Sequence, residues 1–156
     1  MGNALHEAAR SNQQEATRLL LEAAQSTGDV DAHDSSGVTP LIASAQAGAT
    51  AALRTLCEGG ANLDAPSANG ATAACAACEG GHLAAVEVLC EFMASMTEGK
   101  PRPPMEIAVV AARYDMIDVL MASGSLEGVV LYLRLRMYLC YRFCFSNDQT
   151  NSNNIR

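Results

Sequence analysis

The chain of 156 residues is long enough for one modest domain with a core of its own. Its net charge of −7 is unevenly spread, because residues 1–99 hold twelve acids and three bases, whereas residues 100–156 hold five acids and seven bases. The negative charge of residues 1–99 repels phosphate backbones, so we expect no nucleic acid partner for this part of the chain.

Cysteine content and the first residues predict the compartment. Six cysteines in this length are fewer than small secreted disulfide modules carry. No apolar run follows Met1-Gly2-Asn3, so the sequence predicts no secretory signal. These residues resemble the start of an N-myristoylation site, but that motif needs Ser or Thr where this chain has His6. We therefore expect a cytoplasmic, reducing location with free thiols and no lipid anchor.

Residues 34–65 and 67–98 repeat one pattern at an offset of 33 residues. Five pairs of identical residues fall at this offset: Gly37 and Gly70, Thr39 and Thr72, Gly48 and Gly81, Leu56 and Leu89, and Cys57 and Cys90. Such agreement indicates an internal structural repeat, in which each unit buries its apolar surface against its neighbours.

Each unit is predicted to form two helices joined by a turn. In residues 34–65, Gly37 allows a tight turn, Thr39 caps a helix and Pro40 takes the first helical position. A short Ala-rich helix then ends at Gly48, and a second helix with apolar residues at helical spacing ends at Gly59. The predicted fold is an all-α solenoid of helix–turn–helix units.

Residues 34–65 closely resemble the ankyrin repeat. The resemblance lies in Gly37-Val38-Thr39-Pro40-Leu41, then Ala45 and Gly48, and then Gly60-Ala61-Asn62-Leu63-Asp64-Ala65. The next unit matches through Gly70, Thr72, Gly81-His82-Leu83, Val86 and Leu89. It departs from the family at Ala73-Ala74, where Pro-Leu is usual, and it lacks the closing Gly-Ala-Asp segment.

An opening unit and a degenerate closing unit extend the resemblance. The opening unit matches through Ala4-Leu5-His6-Glu7-Ala8-Ala9, Ala16, Leu19-Leu20-Leu21 and Gly28-Asp29-Val30-Asp31-Ala32. The closing unit has a first helix in 105–112 and a shortened second helix in 116–121, which ends at Gly124. The resemblance thus implies an ankyrin repeat domain in residues 1–124, with repeats at about 3–33, 34–66, 67–98 and, in degenerate form, 103–124.

Residues 125–156 form a non-repeat tail, apolar and basic in 126–145 and polar in 146–156. Eight Val, Leu and Phe residues in 129–145 favour membrane insertion by roughly 2.4–4.8 kcal/mol, but three arginines cost up to about 2.5–3.5 kcal/mol each. We therefore expect no membrane span, and we expect 146–156 to be disordered. The sequence leaves open whether the tail is a folded cap, a membrane-contact segment or an unselected extension.

Cys75 and Cys78 form a Cys-x-x-Cys pair shortly before His82, a spacing found in zinc and thiol sites. The resemblance places both cysteines on a first helix, and a three-residue step puts them on one packed face, where Cys behaves as a small apolar residue. Zinc needs about four ligands, and this stretch offers two thiols and His82. We therefore predict structural cysteines, no metal and no cofactor. The alternative is a thiol or zinc protein that uses this pair, with Cys140 and Cys144 as further thiols.

The histidines also have structural interpretations. His6 matches the family position that links neighbouring repeats by hydrogen bonds, His82 is expected to be exposed after a turn glycine, and His33 lies in a solvated loop. No nucleophile elbow, phosphate-binding glycine loop or zinc-protease motif occurs in the sequence, so we predict no catalytic residues and no enzyme.

The resemblance implies a non-catalytic scaffold that binds another protein through the concave face of the stack. Mapped residue by residue, the predicted binding positions are Ser35, Ser36, Val38, Gln46, Ala47, Ala68, Asn69, Ala71, Glu79 and Gly80. These residues are small and mostly uncharged, and they include no Trp, Tyr or Arg anchor. We expect a monomer, and the remaining alternative is a membrane-surface adaptor that uses the apolar, basic tail.

Overall fold

A computed structural model describes residues 2–92, 94, 104–110, 115 and 117–119. Its helices are α1 (Gly2–Arg10), α2 (Gln14–Thr27), α3 (Pro40–Ala47), α4 (Thr50–Glu58), α5 (Ala73–Gly80), α6 (Leu83–Glu91) and α7 (Pro104–Val110). Residues 115 and 117–119 are also helical, and no strand occurs among the described residues. The predicted all-α class is confirmed.

The helices stack in two rows. α1, α3, α5 and α7 pack side by side in the first row, and α2, α4 and α6 pack side by side in the second row. Consecutive helices of each pair, such as α3 and α4, also contact each other. Hairpins that follow each other in the sequence are therefore also adjacent in space, which confirms the predicted helix–turn–helix solenoid.

Helices of both rows contribute buried side chains to the core. α3 is buried from Pro40 to Ala45, and α5 is buried from Ala73 to Cys78. In the second row, Leu56 of α4 and Leu89 of α6 are both 0% exposed. Their equal burial confirms that the 33-residue offset aligns the same inward-facing position of the two hairpins.

Local signals fix where the first-row helices begin and end. Thr39 and Thr72 cap α3 and α5, because the hydroxyl of each accepts a hydrogen bond from the backbone N–H three residues on, at 3.3 and 3.4 Å. Gly48 and Gly81 end the two helices in the left-handed region, with φ of 65° and 75°. The predicted cap and stop residues are confirmed.

The closing end of the stack is described in part. α7 begins at Pro104, one residue before the predicted first helix, and it packs against α5 with Ala108 fully buried. Ile117 is also buried, at 4% exposure. The predictions for Gly124, for the tail and for its cysteines lie outside the described residues, and the division of the chain at residue 124 stays a prediction. The described helices include none that is long and apolar enough to cross a membrane.

Candidate functional site

The predicted binding positions begin at a turn organised by Asp34. Its Oδ1 accepts hydrogen bonds from the backbone N–H groups of Ser36 at 2.8 Å and Val38 at 3.0 Å, and its Oδ2 accepts one from Arg10 at 2.8 Å. The N–H of Val38 and then the Arg10 guanidinium lower the pKa of Asp34 below its ordinary value. The ionised carboxylate therefore holds the turn closed, with Ser35 and Ser36 exposed at its tip.

The next repeat forms the equivalent turn without an acidic side chain. Ser67 takes the position of Asp34; its hydroxyl donates to Asn69 Oδ1, which also accepts from the Ala71 N–H at 3.2 Å. The two turns are joined directly, because the backbone N–H of Ala68 donates to the carbonyl of Gly37 at 2.8 Å. Two successive repeats therefore present their turns side by side with a shared backbone hydrogen bond.

The ends of α3 and α5 supply the other predicted positions. Gln46 and Ala47 end α3, Glu79 and Gly80 end α5, and all four are exposed. The ring of His82 donates from Nε2 to the carbonyl of Gln46 at 3.1 Å, which links the two helix ends.

The ten predicted positions form one repeated set, which we name the candidate surface: Ser35, Ser36, Val38, Gln46, Ala47, Ala68, Asn69, Ala71, Glu79 and Gly80. Each of the first five has its partner among the last five at the 33-residue offset. Eight of the ten are exposed, whereas Val38 and Ala71 are half-buried. The structure thus brings together turn tips and helix ends of two stacked repeats.

Asn12 shows how the first repeat aligns with the others. It has a φ of 53°, in the left-handed region that Gly48 and Gly81 also occupy, and its Oδ1 accepts hydrogen bonds from the N–H groups of Ala51 at 3.1 Å and Ala52 at 3.2 Å. Asn12 thereby caps the N-terminus of α4 from the preceding repeat. The offset between the first two repeats is 36 residues here, rather than 33.

This register adds two residues that sequence reasoning missed. At the 36-residue offset, Arg10 and Ser11 of the first repeat correspond to Gln46 and Ala47, and both are exposed. The first repeat has about three extra residues before Gly28, so a comparison at an offset of 33 residues does not show this correspondence. Asn12 is the residue in the sequence that could have revealed the correspondence, because Asn, after Gly, most readily adopts the left-handed conformation.

All three histidines join neighbouring repeats. Nε2 of His6 lies 2.8 Å from the carbonyl oxygen of Val38, and Nε2 of His33 lies 3.0 Å from that of Pro66. A carbonyl only accepts, so Nε2 carries the proton in each ring, as it does in His82. The predicted linking role of His6 is confirmed. The expectation that His82 is solvent-exposed is wrong: the ring is half-buried, because it packs beside Gly48 and Gly80.

Cys75 and Cys78 lie inside the stack, 1% and 0% exposed. The hydroxyl of Thr72 donates to the Cys75 sulfur at 3.4 Å. Cys57 is also buried, and burial raises the pKa of its thiol to about 11, so it stays protonated near neutral pH. These three cysteines and Cys90 are not in disulfide bonds. Among the described residues, no cluster of three or more His, Cys, Asp or Glu side chains has the geometry to hold a metal ion.

Comparison with known families agrees with this geometry. The family model for ankyrin repeats, in three copies, matches residues 2–67. Residues 2–67 therefore contain ankyrin repeats. The match ends at the turn before α5, and α5 begins at Ala73-Ala74, where the sequence departs from the family's usual Pro-Leu. A search of curated proteins gives no match. Ankyrin repeats are generally modules for binding other proteins and generally carry no catalysis.

Proposed function

We propose that this ankyrin-repeat chain is a non-catalytic scaffold that binds another protein through the concave side of its stack, at the candidate surface. The observation that carries the proposal is the repeated exposure of equivalent positions in two stacked repeats, at turn tips and helix ends. Such an array offers a partner one continuous surface whose side chains do not belong to the core.

The main chain beneath the candidate surface is held in place. The Asp34 carboxylate closes one turn, the hydrogen bond from Ala68 to Gly37 joins it to the next turn, and His82 holds the carbonyl of Gln46. A surface that is already ordered loses little conformational entropy on binding. The inter-repeat hydrogen bonds therefore support a binding role for the side chains above them.

The chemistry of the candidate surface indicates how it binds. Glu79 is its one charged residue, and the other members are Ser, Ala, Val, Gln, Asn and Gly. Small side chains allow a partner to approach the backbone closely. Arg10, at the equivalent position of the first repeat, is paired with Asp34, so the large anchoring side chains must come from the partner. We infer a partner segment that inserts its own large side chains along the turns and the ends of α3 and α5.

The test is affinity capture of proteins from the native source, with two matched variants that each replace an exposed alanine by arginine. Ala47→Arg places a long charged side chain on the candidate surface, and Ala84→Arg places the same group on α6 in the second row, where Ala84 is also exposed. We expect Ala47→Arg to lose captured proteins that the wild type and Ala84→Arg retain, with the melting temperatures of all three matched. If Ala47→Arg captures what the wild type captures, the candidate surface is not the binding surface.

We also propose a reducing compartment, the cytoplasm. Cys57, Cys75, Cys78 and Cys90 are not in disulfide bonds, and Cys75 and Cys78 are packed in the core. Thiol alkylation in intact cells of the native source, before lysis, tests the compartment: all thiols should be alkylated on unfolding, and recovery of disulfide-linked chains would contradict it.

A further inference from the structure

One end of the stack exposes an apolar side chain at a position that the other repeats bury. Leu19 of α2 is 58% exposed. At the offsets of 36 and 33 residues it corresponds to Thr55 of α4 and Val88 of α6, which are 7% and 4% exposed. A single exposed leucine is ordinary, but the burial of both equivalent residues indicates that this position lies on a surface that packs against helices.

Three neighbours of Leu19 show the same difference. Ala4 is exposed, and Ala16 and Leu20 are half-buried. Their equivalents in the next two repeats are buried: Pro40 and Ala73, Ala52 and Ala85, and Leu56 and Leu89. We name Ala4, Ala16, Leu19 and Leu20 the N-terminal face.

The opposite side of α2 shows which way this face points. Leu21 is 3% exposed and packs onto the following repeat, where a Cβ on Gly59 would lie 2.2 Å from its Cδ2 atom. The N-terminal face therefore lies on the side of α2 away from that repeat. In α4 and α6 the preceding hairpin covers the corresponding side of the helix. The N-terminal face is therefore equivalent to surfaces that pack against helices in the other repeats.

We propose that the N-terminal face binds the same face of a second copy of this chain, about a two-fold axis near Leu19. The charges beside Leu19 are self-complementary, because Arg18 lies between Glu15 and Glu22 on the exposed side of α2 and pairs with both. An antiparallel pair of α2 helices brings each Arg18 within reach of the partner copy's two acids, which satisfies the symmetry of a closed dimer.

The other end of the stack argues against a head-to-tail arrangement. α7 packs against α5 there, with Ala108 fully buried, so a second copy would have to displace α7 to stack on α5. Head-to-tail stacking that does not close into a ring also continues into open filaments. This proposal revises the monomer expected from the sequence. The face is small, so the dimer is a weak one that forms at high protein concentration.

Sedimentation equilibrium of the full chain over a concentration series tests the proposal. Leu19→Glu should weaken self-association by at least about tenfold, because it places a charge in the apolar centre of the face. Ala84→Glu is the matched control, since it adds the same charge at an exposed position of α6. A wild type that stays monomeric at every concentration would overturn the proposal, as would equal effects of the two variants.

A charge exchange tests the two-fold pairing itself. Arg18→Glu makes the stripe beside Leu19 entirely acidic, and the double variant Glu15→Arg with Glu22→Arg makes it entirely basic. Each variant alone should associate more weakly than the wild type, and an equimolar mixture of the two should associate at least as well as the wild type. A mixture no stronger than the separate variants would rule out pairing about Leu19.

Discussion

Replacing Leu56 by Ala tests the packing of the stack directly. Leu56 lies on α4, is 0% exposed and belongs to the apolar core. Removing a fully buried leucine side chain costs roughly 2–5 kcal/mol, with the higher values where the surroundings do not collapse into the void. α4 is enclosed by α2, α3 and α6, which limits how far the surroundings can collapse, so we expect about 3–5 kcal/mol. That loss is a large fraction of a total stability of about 5–15 kcal/mol.

Urea unfolding of Leu56→Ala and Leu19→Ala measures the effect against a matched control. The same substitution is made in both, but Leu19 is 58% exposed, and its loss should cost less than about 1 kcal/mol. Leu89→Ala should resemble Leu56→Ala, because Leu89 is also 0% exposed. If Leu56→Ala destabilises the protein no more than Leu19→Ala does, the register of α4 in the core is wrong.

Three further perturbations have defined outcomes. Thr39→Ala removes the N-cap of α3 and should lower the free energy of unfolding by about 1 kcal/mol in urea; no change would mean that the cap contributes nothing. Because the pKa of Asp34 is lowered, chiefly by the N–H of Val38, its stabilising effect is present above the unfolded-state value and is lost as pH falls through the lower folded-state value. Asp34→Asn should therefore make stability less dependent on pH in the acid range, and an unchanged acid titration would contradict this. Replacing Cys75 and Cys78 by Ala should preserve helicity and cooperative melting in circular dichroism, since small apolar residues remain; loss of a bound metal would restore the zinc alternative.

The features predicted correctly from the sequence are those set by local chemistry or by the period. Thr39 and Gly48 begin and end α3 because a hydroxyl cap and a left-handed glycine act within one turn of the helix. Leu56 and Leu89 could be placed in the core because they recur at one offset. The same recurrence supplied the positions of the candidate surface, whose binding role stays a prediction.

Features that depend on packing between repeats were missed. Asn12 caps α4 across the repeat boundary, and the longer first repeat displaces it from the 33-residue register. His82 follows a turn glycine, which favours an exposed position, but the neighbouring repeat supplies the Gln46 carbonyl that holds its ring. Leu19 fits a buried ankyrin position in sequence and is exposed because no hairpin packs on that side of α2 in the structure.

Hydrogen exchange of the complex with its captured partner tests the binding proposal most directly. Binding at the candidate surface should slow exchange in residues 35–38 and 68–71, and at the ends of α3 and α5, relative to the unbound chain. The backbone amides of α4 and α6, in the second row, should exchange as fast as they do in the unbound chain. Slower exchange confined to α4 and α6, with the turns unchanged, would contradict binding through the concave side of the stack.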